Sequence, residues 1–355
     1  MRRPAPLAAL VLLVVALASV ASGCGGGEET TSSAEPEQGA TVFGFNEARA
    51  QEAAETGLLG DSGAGFVRVA LNWATVEPVE GQQNFAPYDA INAALEDAGL
   101  KPLWVLTSAP CWAAGTECVE QVPNLAPDPG QVDAFGEFTA EVAERYPEAL
   151  GIEVWNEPNI PNFWKPTPDP ELYREALAAA AEAVDEAGSD VPVLMAGPSP
   201  TTPDVAAEDP TKLEFTQFIR DVMSGPDAPA VDAIALHPYS LFQEGDAVDE
   251  SIELYEQGVA TAEEVAPDVP IWVTEIGLTT EGQYAITPDE QAAGLGAIVG
   301  RLADDGVPVI AIHRFFDQPD SPLMFERGFG VVDGAGAPKP SFCAPADALG
   351  VTCEP

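Results

Sequence analysis

From residue 40 onward, short apolar runs alternate with longer stretches in which apolar residues recur every three or four positions. The runs are Thr41–Phe45, Phe66–Leu71, Pro102–Leu106, Ile152–Trp155, Val193–Ala196, Ala233–Leu236, Ile271–Thr274 and Val309–Ile312. Several are almost continuously apolar, as strands covered on both faces require. The stretches between them carry helix signals. Asp169 can cap a helix that opens at Pro170, presents Tyr173, Leu177, Ala180 and Val184 on one face and closes at Gly188. Thr287 and Glu290 form a capping box ahead of the stripe Leu295, Ile298, Val299 and Leu302. A further helix over Tyr88–Ala98 ends at Gly99. Eight such units predict an α/β fold, a (β/α)8 TIM barrel forming one domain over residues 40–355. A doubly wound sheet would want a Gly-rich turn after an early strand, whereas Gly63-Ala64-Gly65 precedes one.

The start of the chain follows a different pattern. Arg2 and Arg3 precede the apolar run Leu7–Val20, which gives way to Ala21-Ser22-Gly23-Cys24. This is the layout of a secretory signal peptide, too short for a comfortable membrane span. Its last four residues resemble a bacterial lipobox, with Ala21 where that motif prefers Leu. The resemblance implies a signal over residues 1–24 and a lipid-bearing Cys24. The other reading is an ordinary secretory signal with a stray cysteine. Residues 25–39 are Gly-, Ser- and Glu-rich and form a flexible acidic linker, with a reach of roughly 20 Å. The expected localisation is therefore extracytoplasmic, with membrane attachment through the lipid anchor only. Beyond Cys24 stand Cys111, Cys118, Cys343 and Cys353. In an exported chain these suggest two disulfides; of three connectivities, the local pairs Cys111–Cys118 and Cys343–Cys353 are expected.

Composition narrows the partners. With 58 acidic residues against 14 basic ones, the net charge of −44 opposes nucleic acid and anionic lipid surfaces. The acidity suits a soluble exported protein and also a saline habitat. Only two histidines occur, His237 and His313, and no Cys/His cluster has zinc spacing, so neither a metal nor another cofactor is expected. A monomer is expected.

Residues just past strand ends face a barrel's active site. Two glutamates fall there, Glu157 after the fourth run and Glu275 after the seventh, each behind an apolar run that should bury it. A pair of carboxylates divides into acid and nucleophile in glycoside cleavage, one kept protonated and the other ionised. The alternative is that each merely pairs with an arginine, such as Arg68 or Arg314.

The surrounding residues resemble the retaining (β/α)8 glycoside hydrolases of clan A. Trp155-Asn156-Glu157-Pro158-Asn159 and Val273-Thr274-Glu275-Ile276-Gly277 carry the resemblance, with Val67-Arg68-Val69, Asn72-Trp73, Glu77-Pro78, His237-Pro238-Tyr239 and the tail Gly330–Asp333 in register. It covers residues 40–345; the run Trp155–Trp164 looks most like family 39, with family 5 next. The resemblance implies that Glu157 is the acid/base and Glu275 the nucleophile, and that Asn156 meets the sugar 2-hydroxyl. It implies too that Arg68 and Tyr239 orient the nucleophile and that His237 lines the same subsite. One departure stands out: clan members often place a tryptophan platform after strand eight, whereas this chain has His313-Arg314-Phe315. Trp73, Trp112, Phe163, Trp164 and Phe315 are candidate aromatics for sugar rings, and the stretches Pro198–Pro210 and Asp317–Gly328 are expected to wall the cleft. The implied substrate is a β-linked polysaccharide or oligosaccharide such as a xylan, glucan or exopolysaccharide. Competing readings are a non-catalytic carbohydrate-binding barrel lipoprotein, a transporter's solute-binding lipoprotein with two lobes, and an inverting hydrolase with more widely spaced carboxyls.

Overall fold

Eight parallel strands close into a barrel in chain order: β1 Val42–Asn46, β2 Phe66–Asn72, β3 Lys101–Thr107, β4 Gly151–Val154, β5 Val193–Met195, β6 Ala233–Leu236, β7 Ile271–Ile276 and β8 Val309–His313. β8 pairs back onto β1 from Val309↔Val42 to His313↔Asn46, which completes the (β/α)8 TIM barrel. This computed structural model describes residues 41–114, 122–239 and 246–355. The signal segment, Cys24, the linker and Cys118, with its expected bond to Cys111, lie outside the described residues. Among the described residues, no helix is long and apolar enough to cross a membrane.

Helix starts follow the local chemistry. Asp169 accepts from the Glu171 and Leu172 amides at the head of Pro170–Glu186, and Thr287 with Glu290 forms a capping box for Pro288–Asp304. The stripes Tyr173–Val184 and Leu295–Leu302 are buried against the outer face of the barrel. Gly99 and Gly188 sit just past two helix ends at φ +73° and +68°, the left-handed turn that glycine enters without a Cβ clash.

Alternation along the strands separates two cores. Val67, Val69 and Leu71 of β2 face the helices and belong to the large outer core. Phe66, Leu103, Leu194, Ala233, Trp272, Val309 and Ala311 fill the barrel interior with a smaller apolar plug. Inward positions one layer nearer the strands' C-terminal ends include Arg68 and Glu153, so a charged layer rests on that plug. β7 runs on to Ile276 and thereby contains Glu275. Its register with β8 shifts between Val273↔Ile310 and Ile276↔Ile312, so one extra residue is accommodated at Thr274–Glu275. At the tail, Cys343 and Cys353 are bonded, and the Glu354 amide reaches the Asp61 carbonyl.

Candidate active site

The β4 exit is held by backbone that most residues avoid. Trp155 and Glu157 adopt φ +78° and +45°, a region that disfavours side chains with a Cβ. Neighbouring groups hold them there: the Trp155 amide donates to Leu106 O and its indole to Phe163 O, while the Glu157 amide donates to Gly197 O. The result turns the Glu157 carboxylate into the barrel mouth. Across the barrel, the register shift in β7 lets two successive residues, Thr274 and Glu275, both reach the same polar cluster.

Arg68 organises that cluster. Its Nη1 donates to Glu275 Oε1 at 2.5 Å and to Asn46 Oδ1 at 2.7 Å, its Nε to Glu153 Oε2 at 2.7 Å, and its Nη2 to Asn156 Oδ1 at 2.8 Å. The Tyr239 hydroxyl donates to Glu275 Oε2 at 2.7 Å. His237 Nδ1 lies 3.3 Å from Glu157 Oε1 and 3.9 Å from Glu275 Oε2. Gly197 leaves room for that ring, since a Cβ there would lie 2.3 Å from His237 Cδ2. Above the cluster opens a cleft of about 940 Å³. The two expected walls line it, through Ser199–Thr202, Asp204 and Val205 on one side and Leu323, Phe325 and Glu326 on the other.

The two glutamates are pushed apart electrostatically. Burial raises the Glu157 carboxyl above its ordinary range against the opposing pull of His237, and the negative Glu275 adds to the rise. Burial also acts upward on Glu275, but His237, Arg68, His313 and the Tyr239 hydroxyl outweigh it and hold that carboxyl well below the usual range. Glu153 is buried too, yet Arg68 and His237 bring it to about 2. His237 is opposed by burial but faces three carboxylates, which lift it to about 9. The cluster thus holds two carboxylates kept on the ionised side, Glu153 and Glu275, beside one carboxyl pushed the other way, Glu157. One ligand atom each from Glu157, His237 and Glu275 lies within 4.8 Å of the others, the spacing of a metal site. The donor set suits a metal poorly, because Arg68 already occupies Glu275 and His237 is held cationic.

The structure brings Glu157, Glu275, Asn156, Arg68, His237 and Tyr239 together at one mouth. Four of the five expected aromatics do not line the cleft above it. Trp73 is fully buried between Trp112, Phe135 and Phe138, because the chain turns into the helix Trp73–Val76 directly after β2 and swings the indole under the barrel wall. Trp112 packs edge-on against it and donates to Glu77 O. Trp164 is buried against Trp155 and Tyr173, and Phe315 against Phe45, Phe316 and Phe342. Trp73, Trp164 and Phe315 are core residues and Trp112 is half-buried against that core; of the aromatics named from sequence, Phe163 lines the cleft. Sequence reasoning also missed Glu153, which sits mid-strand in β4 and accepts from Arg68, Gly197 N and Thr274 Oγ1. Its signal was a lone charge inside an apolar strand, matched by a lone Arg68 inside another. Asn46 and Glu326 gave no comparable signal.

Known proteins resemble the chain in sequence and in fold. It is 27% identical over 286 residues to a beta-xylosidase of Caldicellulosiruptor saccharolyticus, covering 74% of this chain and 55% of that protein. A beta-xylosidase of Geobacillus stearothermophilus is 25% identical over 252 residues, covering 62% of this chain and 46% of that protein. The chain thus spans about half the length of these relatives. A family 39 glycoside hydrolase from Bacteroides cellulosilyticus WH2 shares the fold at a TM-score of 0.59 and 20% identity, over 86% of this chain and 63% of that one. GH5_18 from Streptomyces cattleya, solved with GlcNAc, does so at 0.63 and 18%, over 87% and 80%. The family model for glycosyl hydrolases family 39 matches residues 72–346, a span that contains Glu157, Glu275 and most of the barrel, and the chain belongs to that family.

Proposed function

We propose that this protein is a retaining O-glycoside hydrolase acting on β-linked glycans, with Glu275 as nucleophile and Glu157 as acid/base. The observation that carries the reading is the pairing at the barrel mouth: two glutamates with carboxylate oxygens within 4.8 Å and environments that drive their protonation apart. Retaining enzymes hold the carboxyls about 5–5.5 Å apart, whereas inverting ones leave roughly 6.5–9.5 Å for a water. One oxygen of each carboxyl lying within 4.8 Å of the other's favours the closer, retaining arrangement.

In the first half of the cycle, a Glu275 oxygen bonds to the anomeric carbon as the glycosidic bond breaks, and Glu157 gives its proton to the leaving oxygen. Bonding to sugar removes the Glu275 charge, and with it one cause of the raised Glu157 value. Glu157, now a carboxylate, then takes a proton from the water that attacks the same carbon and releases Glu275. Arg68 and Tyr239 hold the nucleophile from both oxygens throughout. Arg68 also occupies the Asn156 carbonyl oxygen, which turns the amide's donor end to a sugar hydroxyl in the cleft. Both curated relatives are beta-xylosidases, so a β-xyloside is the first substrate to try.

We place the enzyme outside the cytoplasm as a lipoprotein. The leader, Cys24 and the linker support this, as does the Cys343–Cys353 bond, since disulfides persist in oxidising compartments. Lipid labelling of the expressed protein, lost in Cys24→Ala, tests the anchor.

The test of activity is a panel of aryl β-glycosides, xyloside included, and polysaccharides. Glu157→Ala and Glu275→Ala run beside the wild type, with and without azide. Loss of cleavage in both variants, with azide products of opposite anomeric configuration, supports the assignment. A wild type that binds glycans and cleaves none would instead favour a carbohydrate-binding barrel.

A further inference from the structure

His313 closes β8 at the position where clan A barrels often carry a tryptophan, and its imidazole does something an indole could not. The ring is buried, edge-on to Phe329 with centroids 4.9 Å apart and tilted beside Tyr239 at 5.6 Å. Its Nε2 accepts a hydrogen bond from Arg314 Nε at 3.3 Å, and Arg314 is tied in turn to Glu326 through Nη2 at 2.9 Å. A guanidinium donates and never accepts, so Nε2 carries the lone pair and the neutral ring carries its proton on Nδ1. Glu326 Oε2 lies 3.5 Å from Nε2 and would draw a proton to that edge, but Arg314 already supplies one there.

The Nδ1 end is then an N–H that is buried and has no hydrogen-bond partner among the described residues. Buried donors are rarely left this way without a use. It lies 3.6 Å from Glu275 Oε2, too far for a hydrogen bond but a short movement from one. Donors that act in catalysis are often long in the free enzyme and tighten once substrate is bound.

We propose that His313 is a positioning residue for Glu275, its Nδ1–H closing on Oε2 beside the Tyr239 hydroxyl when the carboxylate engages the sugar. The arrangement places two donors on the Oε2 edge and leaves Arg68 on Oε1. Arg314 is the group that sets the tautomer, which gives the His313-Arg314 sequence a purpose at the nucleophile. This rests on the glycosidase reading of the site.

Two measurements test it. The first is the imidazole nitrogen spectrum of the full chain labelled with 15N-histidine. With two histidines in the sequence, His313→Asn assigns the signals by removing one set. The expected result is an Nδ1–H tautomer for His313 whose Nδ1 signal moves in Glu275→Gln. An Nε2–H tautomer, or an Nδ1 signal indifferent to Glu275→Gln, overturns the proposal, and this readout needs no turnover.

The second measurement is the acid limb of kcat/KM on an aryl β-xyloside. Glu275 is faced by Arg68 from β2, Glu157 after β4, His237 and Tyr239 after β6, and His313 with Glu326 from the β8 side; these variants change His313 alone. Asn places an amide donor where Nδ1 stood, whereas Gln places it at the Nε2 end. His313→Gln should move the acid limb up by about one pH unit while His313→Asn leaves it in place. Equal shifts in the two variants would overturn the proposal. A wild type that cleaves nothing would defeat the glycosidase reading instead, and the spectrum would still decide the contact.

Discussion

Arg68 Nη1 meets Glu275 Oε1 at 2.5 Å, and the same guanidinium meets Glu153 at 2.7 Å, so one buried cation stands between two buried carboxylates from β4 and β7. Burial opposes the ionisation of both acids, and Arg68, together with His237, counters it. The catalytic candidate Glu275 therefore depends on a side chain that contacts it from β2 and on Glu153, which shares that side chain.

Removing the cation should cost more than removing the whole arrangement. Arg68→Met strands two buried charges and is expected to destabilise the fold by about 3–5 kcal/mol, read from urea unfolding. Adding Glu153→Gln to Arg68→Met should recover part of that stability and none of the activity. Equal stability of the single and double variants would show that Glu153 does not depend on Arg68.

His237 links stability to pH. Its folded value of about 9 stands above the ordinary 6.5, so its contribution is fully present below about pH 6.5 and is lost as pH rises through about 9. That shift corresponds to about 3 kcal/mol. Glu153 acts in the other direction. Its value is lowered from 4.5 to about 2, so its contribution is present above about pH 4.5 and is lost as pH falls through about 2. Urea midpoints across pH should decline at both ends, and His237→Gln should flatten the alkaline decline and, because His237 also helps to lower Glu153, weaken the acid one.

Gly197 offers a test of geometry without a change of charge. A methyl at this position would lie 2.3 Å from His237 Cδ2 and 2.5 Å from its Nε2, so the ring must shift from its place beside Glu157 and Thr274. Gly197→Ala is expected to lower kcat/KM by about a hundredfold, as a misplacement of about 1 Å can do. A melting temperature close to wild type would separate this from unfolding. Unchanged kinetics would mean that His237 does not set the Glu157 position.

Trp73 should behave as core. Trp73→Ala opens a cavity beside Phe135 and Phe138 and is expected to cost about 3–5 kcal/mol, with KM unchanged in the protein that remains folded. A raised KM with an intact melting temperature would return Trp73 to the cleft.

Much of this molecule is local and was legible in the chain. The apolar runs and their caps specify eight strands and the helices between them, because covered parallel strands and amphipathic helices each impose their own period. Position past a strand end then selects Glu157 and Glu275, since a closed barrel brings those ends to one face. What the linear pattern does not carry is which way a side chain leaves the backbone. Trp73 and Phe315 come within two residues of a strand end and Trp164 directly after the cleft residue Phe163, yet all three are buried in the core, with Trp112 packed against Trp73. Glu153, a mid-strand charge that reads as an interruption, finds Arg68 only when β2 and β4 are wrapped around the same interior. Residue type and spacing thus determined the barrel and its two acids. Closure of the barrel decided their ionisation, because the field at each carboxyl is set by groups from β2, β4, β6, β7 and β8 that meet only in three dimensions.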